Sequence, residues 1–157
     1  TGQIISPTIG PTRTEEDYLN HIYKTVNIDP CAKWIFVTDQ LNTHKSESLV
    51  RFIAQQCEIE IDLGEKGKKG ILKNMETRQK FLSNPSHRIH FVYTPKHSSW
   101  LNQVEIWFSI LSRRLIKHGN FLSLEHLKKR ILKFIEFFNK TMAKPFKWTY
   151  KNRPLMA

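Results

Sequence analysis

The sequence predicts an α/β domain in which a partly parallel, mixed sheet is flanked by helices. Three observations lead there. Segments of strand character alternate with segments of helical periodicity, in the order strand, helix, strand, helix, strand, helix, helix. The length of 157 residues suits one compact unit with one core. Hydrophobic residues at 39% and charged residues at 25% supply a packed interior and exclude wholesale disorder.

Each element has its own reason. Gln3 to Ile9 reads as a strand, with Ile4, Ile5 and Ile9 apolar and Pro7 placing it at an edge or a bulge. Thr14 with Asp17 three positions on, and Glu15 and Glu16 between, is a helix N-terminal capping pattern. That helix runs to about Val26, with Tyr18, Leu19, Ile22, Tyr23 and Val26 at helical spacing. Lys33 to Thr38 is a short apolar run of the kind expected for a strand buried on both faces, and it ends at Asp39. After the polar turn Gln40 to His44, Leu49, Val50, Phe52 and Ile53 recur at helical intervals through to Cys57.

Leu63 to Ser86 contains GEKGKKG and reads as a basic insertion or flexible loop, with a short helix within Ile71 to Leu82. Its glycines do not form a phosphate-cradling loop, because no Gly-Lys-Ser/Thr follows at the required offset. Arg88 to Tyr93 is a strand stopped by Thr94-Pro95. Helices from about Ser99 to Lys117 and from Ser123 to Met142 complete the chain, and no internal repeat is visible.

Lys plus Arg number 25 against 14 Asp plus Glu, a formal +11, so a polyanionic partner is expected, nucleic acid before membrane. The charge is uneven. From Lys96 onward there are 13 Lys/Arg and 3 Asp/Glu, whereas the first 95 residues hold 12 and 11. Arg113, Arg114, Lys117, Lys128, Lys129, Arg130 and Lys133 are the candidate phosphate contacts, and solvated helix faces are the alternative reading. Two cysteines outside any ligand spacing argue against a disulfide framework and a structural zinc site. No apolar run approaches the roughly 20 residues that cross a bilayer, so no membrane partner and a cytoplasmic setting are expected, nucleoid-associated when DNA is bound. The opening residues read as the later part of a longer polypeptide.

A carboxylate at the carboxyl end of a sheet strand stands where α/β folds gather their chemistry, which suits Asp39 to a metal; an Asx-turn is the plain alternative. In the next-to-last helix, Trp100, Val104, Trp107, Leu111 and Leu115 form one stripe, expected to face the sheet. Glu105 lies off it, among Asn102, Ser109 and Ser112, and on pattern alone is an ordinary exposed glutamate.

VTDQLNTHKSESL around Asp39 and YTPKHSSWLNQVEIWFSIL around Glu105 resemble the second and third acidic blocks of the DDE transposases, the mariner-like and related bacterial insertion-sequence group. The Thr-Pro-x-His-Ser-Ser-Trp-Leu-Asn-x-x-Glu run is the more specific of the two. The likeness extends through PTRTEED and MAKPFKWTYKNRPL. It implies an RNase H-like fold spanning 1–157, with Asp39 and Glu105 as catalytic metal ligands for Mg²⁺ or Mn²⁺. It further implies DNA transposition, with transposon ends and target DNA as partners and a homodimer in the full-length enzyme. The chemistry would be phosphodiester cleavage by two cations about 3.5–4 Å apart, which select carboxylate oxygens over softer donors. His44, His97 and Asn102 fall in the matched blocks as candidate supporting residues; for the histidines, capping or packing is the alternative.

The chain departs from the family pattern in two ways. Asp39 and Glu105 are 66 positions apart, with Leu63 to Ser86 supplying the excess. No carboxylate before Asp39 falls on an expected strand, so the family's first Asp and its strand are expected to be missing, as is the DNA-end-binding helix-turn-helix. An incomplete catalytic domain and an inactive basic DNA-binding remnant are the two readings that follow.

Overall fold

The computed structural model describes residues 1–95 and 103–145. Helix α1 (Glu15–Val26) starts at the expected capping box: the Thr14 hydroxyl accepts from the Asp17 N–H at 3.2 Å, and Asp17 Oδ2 accepts from the Thr14 N–H at 2.8 Å. Strand β1 (Trp34–Thr38) leads through a 3₁₀ turn (Asn42–Lys45) into α2 (Glu47–Gln56), which is capped by Ser46. Helix α3 (Met75–Leu82) precedes strand β2 (Ile89–Tyr93). Helix α4 (Gln103–Leu111) passes into a π-helical turn (Ser112–Ile116), and α5 (Leu124–Thr141) runs from the Ser123 cap to Met142.

β1 and β2 pair in parallel, with Trp34 opposite Ile89 and Thr38 opposite Tyr93. Phe36 stacks on Phe91 with ring centroids 5.2 Å apart, and Trp34 and Tyr93 extend the aromatic row. This face covers a core of Ile22, Leu49, Ile53, Leu82 and Phe91 drawn from α1, α2, α3 and the sheet. Arg88 ties two element ends together, donating to the carbonyls of Ala32 at 3.0 Å and Gln56 at 3.1 Å.

Four expectations change. Gln3 to Ile9 is not a strand: the Ile4 N–H and C=O are taken by the side-chain amide of Asn139 on α5, at 2.8 and 2.9 Å, leaving no ladder to join. Among the described residues the sheet therefore has two parallel strands, not a larger mixed arrangement. β1 is covered on one face only, since Ile35 and Val37 are 57% and 50% exposed opposite the aromatic row. The stripe of α4 packs on α5 and not on the sheet: Trp107, Leu111 and Leu115 join Ile135 and Phe138 in a second cluster, while Val104 is exposed. Trp100 of that stripe lies outside the described residues.

Candidate functional site

The parallel pair delivers Asp39 immediately after Thr38, at the carboxyl end of β1. One carboxylate oxygen shapes the turn. Asp39 Oδ1 accepts from the Leu41 N–H at 3.0 Å, the Asx-type bond that starts the 3₁₀ turn, and that turn brings His44 back so that its Nδ1 lies 2.8 Å from the same oxygen. The turn former and the candidate ligand are thus one residue, because Oδ2 makes no hydrogen bond to the described residues. The side chain is 31% exposed, open enough for a cation to reach it.

His44 is held from every side. Its Nδ1 is 2.7 Å from the Thr38 hydroxyl, its ring lies 4.1 Å from that of Tyr18, and its carbonyl accepts from the Tyr93 hydroxyl at 2.8 Å. Burial lowers the imidazole below its ordinary range, and the neighbouring Asp39 pulls less strongly the other way. The ring therefore meets Asp39 as a neutral imidazole whose Nδ1 is within hydrogen-bond reach of both the Thr38 hydroxyl and the carboxylate. Burial raises the Tyr18 phenol to about 12, opposed by the Thr38 hydroxyl and reinforced by the Asp39 charge. It raises the Tyr93 phenol as well, with Tyr18 adding to the effect. Both stay protonated at neutral pH.

Thr38, Tyr18 and Tyr93 are site residues that the sequence did not announce. Tyr18 carried only the helical spacing of a core residue, and Tyr93 only the alternation of a strand. A groove of ≈ 1020 Å³ adjoins the site, lined by Thr43 and His44, by Tyr18 and His21 of α1, and by Val104 and Trp107 of α4.

Glu105 is exposed in the first turn of α4. No group of three or more His, Cys, Asp or Glu side chains placed to hold a metal occurs among the described residues. Asp39 and His44 stand together at the strand end, and Glu105 stands on a different element, α4. Asp39 fits a hard cation as a single oxygen ligand, but the described residues do not complete a centre around it. His97 and Asn102 lie outside the described residues.

The structure sorts the basic residues. At 100° per residue, Lys129, Arg130 and Lys133 share the α5 face opposite Ile135 and Phe138, all three exposed, while Lys128 is half-buried on the same face as Ile135. Arg113, Arg114 and Lys117 are exposed on and just after the π-helical turn, where Arg113 Nε donates to its own helix at the Ser109 carbonyl, 3.2 Å away.

The DDE superfamily endonuclease profile matches residues 1–128. The chain belongs to that family. DDE endonucleases generally depend on divalent metal ions, and the family implies DNA as substrate. No curated protein and no solved structure matches the chain.

Proposed function

We propose that this chain acts in DNA transposition, carrying within an RNase H-like catalytic domain the second and third acidic residues of a DDE site, Asp39 and Glu105. The observation that carries the reading is Asp39 itself: it follows the end of a parallel strand, is oriented through Oδ1 by Leu41 and His44, and has Oδ2 without a hydrogen bond among the described residues, in a chain of the DDE family. Bound Mg²⁺ or Mn²⁺ would supply activation of the attacking water or 3′-hydroxyl and relief of charge on the leaving oxygen. The chain's own part is to fix the Asp39 carboxylate, to keep His44 neutral beside it, and to hold transposon-end and target DNA by the basic faces of α5 and the π-helical turn. A further carboxylate must come from outside the described strands, since none precedes Asp39 on one.

The test is transposition of a marked element in cells, driven by the gene that contains this chain. Asp39→Asn and Glu105→Gln are each expected to reduce it to background while duplex DNA binding persists. Undiminished transposition in either variant overturns that residue's role.

A second reading, a DNA-binding remnant without catalysis, draws on the absence of a three-ligand group among the described residues. Both readings expect the purified 157-residue chain to leave duplex DNA intact. Mg²⁺-dependent nicking abolished by Asp39→Asn would show instead that this chain completes the site alone.

A further inference from the structure

The segment that lengthens the spacing between Asp39 and Glu105 is not a flexible loop. Glu65 and Lys69 pair as an antiparallel bridge, with the Glu65 N–H donating to the Lys69 carbonyl at 3.0 Å and the Lys69 N–H to the Glu65 carbonyl at 3.2 Å. Below the bridge the Leu72 N–H donates to the Leu63 carbonyl at 3.0 Å, and Leu72 is fully buried in the core with Leu63 and Ile71 packed alongside. Gly64 and Gly70, at φ +82° and +72°, cross at the neck. A side chain at Gly64 would collide with the Lys69 carbonyl, and one at Gly70 would lie 2.8 Å from the Gly64 Cα. The neck is thus a closed glycine crossing on a buried base.

What the hairpin displays is charge. Lys66, Lys68, Lys69 and Lys73 are all exposed, and of these only Lys68 has an ion-pair partner among the described residues, Glu65 at 2.6 Å. At the tip, Gly67 has φ +78° and no atom within 4 Å of where a side chain would begin, so a large partner can approach the backbone closely. The hairpin is linked to the Asp39 site through the helix that follows it. α3, which follows it directly, packs against the 3₁₀ turn that contains His44, the residue set against Asp39.

We infer that this hairpin is a second DNA contact, in which Lys66, Lys69 and Lys73 bind the phosphate backbone of a duplex beside the Asp39 end of β1. The inference rests on the transposase reading above. A prearranged hairpin loses little freedom on binding, its ammonium groups suit phosphate, and contacts to phosphate carry no sequence information. The contact is therefore independent of DNA sequence, adding grip near the site without choosing the end.

The experiment measures binding of the whole chain to a short duplex of arbitrary sequence as salt is raised. Each phosphate contact adds about 0.9 to the slope of log affinity against log salt, so Lys66→Ala, Lys69→Ala and Lys73→Ala together are expected to remove about 2.7. The corresponding triple arginine variant, which keeps the charges, should restore the slope. A slope unchanged in the triple alanine variant, but reduced by Lys129→Ala, Arg130→Ala and Lys133→Ala on α5, overturns the hairpin contact and leaves the DNA reading standing. Duplex affinity that does not depend on salt in the unaltered chain overturns both.

Discussion

The two acidic candidates stand on regions built to different standards. The first region, α1 to β2, buries eleven hydrophobic residues in one cluster, several of them wholly inaccessible, and Asp39 follows directly on its strand β1. Among the described residues the second, α4, the π-helical turn and α5, buries five, none below 5% exposure, and carries Glu105 on a helix with Val104, Ile106 and Phe108 exposed. One carboxylate is fixed on a dense interior and by the bonds of its Oδ1 to Leu41 and His44; the other rides on a basic helix pair with fewer buried side chains among the described residues. On the transposase proposal, the strand-end residue sets the reference position, and completing the centre is a question of where the helical unit is held.

Removing interior side chains should expose this contrast most strongly. Phe91→Ala takes out a fully buried ring stacked on Phe36 and is expected to cost about 3–5 kcal/mol, whereas Leu111→Ala in the thinner cluster should cost about 2–3 kcal/mol. Urea titration followed by circular dichroism checks both, and equal losses would mean that the second cluster is as tightly packed as the first.

Acid should act next, through the first region and the segment leading into it. Burial holds His87 and His21 below the ordinary histidine value, with His90 and Lys24 adding to the effect. The unfolded chain then takes up these protons more readily than the folded one. Stability is therefore full above about pH 6.5 and falls as pH drops below it. Melting temperature measured from pH 7.5 to 5 should show this decline, and His87→Gln should make it shallower; a flat profile would contradict the burial of these rings.

The smallest effect belongs to the helix caps. Ser123→Ala removes the hydroxyl that accepts from the His126 N–H at 3.0 Å and should cost about 1 kcal/mol. Thr14→Ala should cost a similar amount at α1. If the second region is the weaker, amide exchange in α5 will rise more after Ser123→Ala than exchange in α1 after Thr14→Ala.

Local chemistry was the legible part of this sequence. Thr14 with Asp17 announces α1, Ser123 announces α5, and the apolar run before Asp39 announces β1, because each signal lies within a few residues of the structure it specifies. What could not be read depends on distant partners. Ile4 looks like a strand residue until Asn139 takes up its backbone groups. Ile35 and Val37 look interior until the helices are found on the opposite face. The α4 stripe is correct as a stripe, but periodicity does not say whether a sheet or α5 will receive it. At the site, His44 was legible from its block beside Asp39, whereas Tyr18 and Tyr93 reach it only through folding.

The pair of bonds between Ile4 and Asn139 turns the chain into a ring. Positions 135 apart are closed on one another by a single side-chain amide. Once the intervening chain is folded, most of the loop-closure entropy has already been lost, so two hydrogen bonds suffice to keep the circuit shut. The segment around Ile4 and helix α5 are therefore latched together: whatever pulls on that segment pulls on α5.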